Sequence, residues 1–579
     1  MGGKATAPYN FIPLPKTVLP ASFFDKDSKL AIKDQFVSHV KAKGDLSGVI
    51  ELDIETRTPF FIGAGKQEQF FSPTGGPVIP GSTMRGMVKN ILKILTCGAI
   101  RPSMRKDIES KEIEGDGDFF DHKLYFRGMA YAKGTGVREA YDDELSPEGA
   151  DGRQHYAAKA GYLIRCTDKK YYICPAEYQV KDGAGFGPKI DWQKNGCAEC
   201  YSGRMPGKKH HTRHYNPRWD EKYPVDNEVI AAYFDDSTRK GFDLLKDKSI
   251  KKDEAAQKFT GKPDIVFVVP CFYVQQEDKI QHFGFGRYYR IPYRKSIGDH
   301  VSKKLWNARN AQDERIPDFA DALFGKKEDW GSRLFFEDCV SVKETIHPLA
   351  SSFSRILATP NPTSFQLYLE QQGGALKTWK DDAQIRGYKL YWHQKNDDSA
   401  WKSDKGLKGA TPIRPIKRGA KFYGRIRFER LSPIELGALL KVFELAEDKE
   451  VCFKLGRGKS IGMGSVRIDA ALRLIDKNAY TQLFGDSGWN RGETDVQSIE
   501  KYTSQFDNYL NKKLDEKELA QYHISQSSLA VMLDWKNTER NGWTERETRM
   551  MQMNDRDKPF AKRFILPTVE QMFPNRVKP

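Results

Sequence analysis

The sequence predicts an α+β protein: a ferredoxin-like or RRM-like core, interrupted by a large irregular insertion and followed by a mostly helical C-terminal extension. Three observations predict it. A strand–helix pattern at residues 48–96 is answered by a strand–helix–strand pattern at 420–468, as in a split sheet-and-helix layer. Between them, regular hydrophobic periodicity gives way to a long polar, glycine-rich stretch. After about residue 475 the chain is polar and helical in texture. The expected division is a leader at 1–46, a first core part at 47–96, an insertion at 97–310, a second core part at 311–474 and an extension at 475–579.

The first core strand begins near Gly48. Ile50, Leu52 and Ile54 alternate with Glu51, Asp53 and Glu55, the period-two signature of a strand with one buried face. A helix follows from Ser82, whose hydroxyl suits an N-cap, with Met84, Val88, Ile91, Leu92 and Leu95 on one stripe. In the insertion only short aromatic strands, such as Lys170 to Ile173, stand out. A short helix is expected at 318–325 and a strand at 332–338. Phe422, Gly424, Ile426 and Phe428 form one face of the next strand, opposite Tyr423, Arg425 and Arg427. A helix from Ser432 to about Ala446 turns Leu436, Leu439, Leu440 and Phe443 inward, and a strand runs from Ser465 to Ile468.

Composition narrows the partners. The 579 residues carry a net charge of +16, which favours a polyanion. Aromatic content of 12% supplies rings that can stack bases. No run of 18 apolar residues marks a membrane span, and no signal-peptide core is seen at the start, so the expectation is a cytoplasmic protein with no membrane partner. Eight irregularly spaced cysteines fit a reducing compartment better than a disulfide framework.

Two glycine-bearing turns concentrate the chemistry. One runs from Thr58 through Gly63 and Gly65 and is followed by Pro77–Gly86; the other spans Leu455–Gly464. Both put glycines and main-chain amides beside Ser and Lys or Arg, a combination suited to phosphate oxygens. The second is not a nucleotide-binding P-loop, because the required upstream glycine is replaced by Phe453. The ordinary reading of either is a tight turn between packed elements.

These motifs, with Ala322–Gly325 and Ser332–Leu334 between them, occur in an order that resembles the RAMP superfamily, the repeat-associated RNA-binding proteins of CRISPR systems. A narrower likeness rests on Tyr201–His210, Phe285–Tyr293, Thr359–Phe365 and Gly387–Trp392, which resemble the insertion-bearing Cas-seven-type backbone subunit of type III-D effectors. The resemblance implies a RAMP core that grips a CRISPR guide RNA, presents it to a target RNA, and stacks on neighbouring RAMP backbone subunits and the large effector subunit. Expected RNA contacts are Gly63, Gly65, Lys66, Ser82, Arg85 and Lys89 around the first turn and helix start, and Arg457, Lys459 and Ser460 in the second turn. In the insertion, Lys208 and Lys209 belong to a dense basic cluster, and Arg287, Arg290 and Arg294 alternate with Tyr288, Tyr289 and Tyr293 as phosphate and stacking groups; an ordinary aromatic-basic strand reads equally well.

Two further chemistries are open. Cys197 and Cys200, followed by His210 or His211 and His214, offer the donor types of a zinc site, with Cys166 and Cys174 as alternative ligands; free thiols are the plain reading. No cofactor is certain, and zinc is the one these residues could hold. Target-cutting RAMP subunits resembled here carry an acidic residue before the Pro77–Ser82 segment, but Gln69–Gly76 holds no carboxylate. The expectation is binding without cutting. Glu68, His210 and His214 are the candidates for the alternative, a metal-independent endoribonuclease acting on target or guide. A zinc-bearing structural scaffold is the other alternative.

Overall fold

The computed structural model describes residues 3–63, 68–73, 75–100, 123–126, 157–181, 189–201, 211–236, 239, 242–312, 314–355, 364–371, 376–394, 401–403, 412–447, 451–476, 484–485, 488–489, 492–536, 548–552, 555–560 and 562–577. Its central element is an antiparallel sheet. The long strands are β1 (Leu46–Thr56), β2 (Lys421–Leu431) and β3 (Ser465–Ile475), with β1 between the other two. Cys339–Ser341 pairs with the outer side of β2, as does Leu334–Phe336, and Val78–Ile79 pairs with Cys339–Ser341. Ile50 faces Ile426 on one side and Leu472 on the other, so three apolar residues meet across the sheet.

Two helices cover that apolar face: α1 (Gly81–Leu95) and α2 (Pro433–Glu447). Met84, Val88, Ile91, Leu92 and Leu95 of α1 and Leu436, Leu439, Leu440 and Phe443 of α2 share one cluster with Ile50, Leu52, Ile54, Phe422, Ile426 and Phe428. Each such side chain contributes about 1.5–3 kcal/mol when fully buried. The short helix Phe319–Phe324 starts on a reciprocal cap, Asp318 accepting from the Asp321 N–H and Asp321 from the Asp318 N–H.

Arg333 ties these parts together. Its guanidinium donates to both Glu435 carboxylate oxygens, to Ala322 O at 3.0 Å and to Arg430 O at 2.9 Å. Burial alone would raise the Glu435 carboxyl, but His39, Arg333 and the Ser432 N–H bring it down to about 2. The Ala322–Gly325 and Ser332–Leu334 motifs thus meet at a packing joint.

Two regions differ from expectation. The extension is part of the main core: α3 (Glu500–Lys513) and α4 (Glu516–Leu533) bury Tyr502, Phe506, Leu510, Leu529 and Met532 in the same cluster as the sheet. A Cβ on Gly437 of α2 would lie 2.1 Å from Tyr502 O, so the glycine permits this close helix contact. β3 also runs to Ile475 and pairs there with Glu493–Asp495. Among the described residues, the stretch expected to be irregular carries three antiparallel sheets. Ile265–Gln276 pairs with Lys159–Cys166 and Lys279–Gly284, around a second cluster containing Tyr162, Leu163, Ile164, Val268 and Val269. Tyr9–Ile12 of the leader pairs with Tyr388–Tyr391.

Candidate nucleic-acid interface

The two glycine turns, about 400 residues apart in sequence, lie against each other. Arg457 N–H donates to Phe61 O at 2.9 Å and Gly464 N–H to Pro59 O at 3.0 Å. Arg57 N–H donates to Ser465 O at 2.8 Å, and Ser465 N–H to Thr58 Oγ1 at 2.9 Å. Gly63 is close enough to the second turn that a Cβ on it would stand 3.7 Å from the Arg457 guanidinium carbon.

The second turn is a hairpin closed by the pair Lys454–Ser465. Gly456, Gly458, Gly462 and Gly464 all have positive φ, between 72° and 88°. At Gly464 a Cβ would also meet Leu455 O at 2.0 Å. These glycines serve the fold of the loop itself, whatever it binds. Arg457 is exposed, and Lys459 and Ser460 are half-buried in the one-turn 3₁₀ helix Lys459–Ile461. Burial pushes the Lys459 ammonium down. Beneath the loop, Lys454 Nζ donates to Met463 O at 3.1 Å.

A third segment joins the site that sequence reasoning missed. Phe60 and Ile416 exchange main-chain hydrogen bonds of 2.9 and 2.8 Å, and Arg414 N–H donates to Glu68 O at 2.7 Å. The stretch 412–418 therefore runs beside the first turn and adds the exposed cations Arg414 and Lys417. Its only sequence signal is three basic residues among prolines, too common to single out. Gly65 and Lys66 lie outside the described residues.

The helix start is built differently from expectation. Ser82 is exposed and caps nothing, because α1 begins one residue earlier. Asp338 Oδ1 instead accepts the Gly81 N–H at 2.7 Å, so a carboxylate occupies the positive end of the helix. Arg85 and Lys89, one turn apart, both lean on Phe324, 5.2 and 5.4 Å from its ring centroid. Arg85 Nη2 also donates to Phe324 O at 3.1 Å. Burial, with Lys93 and Arg85 nearby, pushes the Lys89 ammonium down. Arg85, Phe324 and the loop 325–332 line an open cleft of about 620 Å³.

In the middle of the chain the aromatic-basic segment is mostly consumed by packing. Tyr289 and Tyr293 are buried in an apolar cluster with Phe272 and Trp379, so they do not offer faces to bases. Arg290 Nε donates to the buried Asp236 at 2.8 Å. Arg287 lies 5.5 Å from the Tyr178 ring centroid and 5.7 Å from that of the half-buried Tyr288. Arg294 is exposed on Ile291–Ser296. Lys208, Lys209 and His210 lie outside the described residues.

Cys197 and Cys200 are both buried, and Cys197 Sγ accepts the Arg213 Nε–H at 3.0 Å. Among the described residues no three His, Cys, Asp or Glu side chains converge as metal ligands. His214 is 1% exposed, beside the rings of Tyr162 and Phe272, and burial pushes it down to about 4. It is therefore neutral at pH 7 and shielded from a surface ligand. His211 is also buried. Cys166 and Cys174 are buried thiols on paired strands.

The open face of the central sheet has a different character. An RRM reads RNA with aromatic rings on the open face of its own sheet. Here the central strand presents Glu51, Asp53 and Glu55, and Tyr423 uses its hydroxyl to donate to Glu51 at 2.7 Å. Arg425 pairs with Glu493 at 3.0 Å, Arg473 with Asp495 at 2.8 Å and Arg467 with Asp469 at 2.7 Å. The face is an ion-pair lattice, whereas Lys459, Arg414 and Lys417 beside the glycine turns form no ion pair with a carboxylate among the described residues.

Residues 53–295 match the model of a family described as the RAMP superfamily, a span of under half the chain. That match supports a CRISPR-associated, RNA-binding RAMP protein, and it takes in most of the stretch read from sequence as an insertion. No curated protein matches the chain. Among the described residues no helix is long and apolar enough to cross a membrane.

Proposed function

We propose that this chain is a guide-RNA-binding backbone subunit of a type III CRISPR effector, similar to the insertion-bearing Cas-seven-type subunit of type III-D complexes. The observation that carries the reading is the meeting of the two glycine turns, with Gly63 beside the Arg457 guanidinium and Arg414 bonded to Glu68 just past the first turn. The strand order supports a ferredoxin-like core: β3, β1, β2 and the Cys339–Ser341 edge follow one another antiparallel, with α1 and α2 on one face. In this reading the turns hold guide phosphates with little sequence readout, and pairing with target RNA carries the specificity. Neighbouring RAMP subunits and the large effector subunit complete the assembly in the cytoplasm.

The subunit binds without cutting in this proposal. Gln69–Gly76 has no carboxylate, and Glu68 engages Arg414 through its main-chain carbonyl. The test is sequencing of RNA that co-purifies when the chain is expressed with its genomic neighbours. Recovery of repeat–spacer RNA of discrete length is expected. Recovery of no RNA, or of random cellular RNA released by moderate salt, overturns the reading.

A further inference from the structure

Lys454 sits where the glycine-rich hairpin closes. It pairs with Ser465 across the strands, and its amine reaches over to the Met463 carbonyl on the far side of the loop, at 3.1 Å. The groups around it are unusual for a lysine. From its own strand side comes Cys452, whose thiol burial pushes up to about 12. From the segment before 395 comes His393, held by Ser465 Oγ at Nδ1 and Cys452 O at Nε2, each 2.9 Å away. That geometry fixes a neutral ring with its proton on Nε2, and burial together with Lys454 pushes it down to about 3. From the loop comes a second cation, Lys459. Farther out, Arg57, Arg467 and Glu55 act on Cys452 from β1 and β3. Lys454 makes no ion pair with a carboxylate among the described residues.

We propose that Lys454 is a proton-linked positioning residue: RNA phosphate seated on the glycine loop charges the amine beneath it, so RNA binding takes up a proton. The proposal rests on the loop being an RNA site. Burial pushes Lys454 down to about 7, Cys452 opposing and Lys459 adding to that effect. The unliganded amine is thus divided between its two forms near neutrality. An anion within a few ångströms favours the ammonium, and the charged amine then holds Met463 and the loop in the binding shape. The sign follows from linkage: the complex binds more protons than the free protein, so affinity rises as pH falls through the free-protein value.

The test uses the purified full chain and a fluorescent single-stranded oligouridine at fixed ionic strength, from pH 8.5 to 6. Wild type should bind about threefold or more tightly at the acid end, within the tenfold per pH unit that one proton allows. Lys454→Met should lose this slope and match wild type only at the alkaline end. Lys454→Arg, always charged, should bind with a flat profile and exceed wild type at pH 8.5. A Lys454→Met profile parallel to wild type overturns the inference and leaves the RNA site standing. Failure of wild type to bind at any pH overturns both. Should Lys454→Met misfold, a Lys454→Arg profile as steep as wild type overturns the inference equally.

Discussion

The open face of the sheet and the loop end of the molecule both carry many cations, and they use them in opposite ways. On the face, Arg425, Arg467 and Arg473 each meet a carboxylate within 3.0 Å. At the loop end, Lys454, Lys459, Arg414 and Lys417 meet none among the described residues. The chain-wide charge of +16 does not distinguish the two. What matters for a polyanion is where positive charge is left unneutralised, because only there does displacing counterions bring a gain. On the open face of this sheet an acidic strand stands where aromatic rings would be needed to stack bases.

The comparison is broken most severely at a paired cation deep in the fold. Arg333→Ala leaves Glu435 buried without its partner and should cost about 3–5 kcal/mol of stability, seen as a lower urea midpoint. The pair also sets a pH dependence. Glu435 has a folded-state value lowered to about 2, so its contribution is present above the ordinary carboxylate range and is lost as pH falls through about 2. Wild type should therefore lose stability on acidification below about pH 4.5, and Arg333→Ala should lose less over the same window.

Next comes the loop's own geometry. Gly464 has φ of 75° and no room for a Cβ beside Leu455 O. Gly464→Ala should cost about 1–3 kcal/mol and weaken RNA binding as well. A variant as stable as wild type would mean that the loop conformation is not the one described.

The cation pair Arg457→Ala with Lys459→Ala should do the reverse: little change in stability, within about 0.5 kcal/mol, but broadly weaker RNA binding. If both contact phosphates, the log–log salt slope for single-stranded RNA should become shallower by about 1.4. An unaltered slope would remove these residues from the interface.

How much of this could be read in the chain depended on the kind of contact. The alternation in β1 and β2 and the stripe on α1 were legible, because burial of one face imposes a period on the residues themselves. The glycine turns were legible for a related reason: positive φ demands glycine locally. Their meeting in space was not, since it rests on main-chain bonds such as Arg457 N–H to Phe61 O that any residue could make. The same holds for Arg414 beside Glu68 and for Asp338 at the start of α1, where a remote carboxylate replaced the expected Ser82. Arg290 and Tyr289 show a limit of another sort. Alternation says that neighbours point oppositely, but not which face is outward, and here Tyr289 points inward while Arg290 finds Asp236. The apolar run Ile265–Val274 was a missed signal, since a continuous run of that length marks a strand buried on both faces. The tail was legible as helical, but its place in the core was not, because its polar surface dominates composition while Phe506 and Leu529 reach the core.

The smallest expected effect is the sharpest test of the contrast. Arg473 is a half-exposed arginine on the open face, with Asp495 at 2.8 Å, Glu51 at 3.5 Å and Glu493 at 3.8 Å. By charge alone, Arg473→Ala removes as much positive potential as Arg414→Ala. If net charge governed binding, the two variants would weaken RNA affinity alike. If unneutralised charge governs it, Arg473→Ala should leave affinity within about twofold of wild type, because its field is already cancelled by three carboxylates and the remainder is screened within about 10 Å at 0.1 M salt. Its stability cost should stay under about 1 kcal/mol, as for other solvent-accessible pairs. Filter binding of the same oligouridine to both variants at one salt concentration decides it: equal losses would show that the open face also meets RNA, and would restore the sheet as a binding platform.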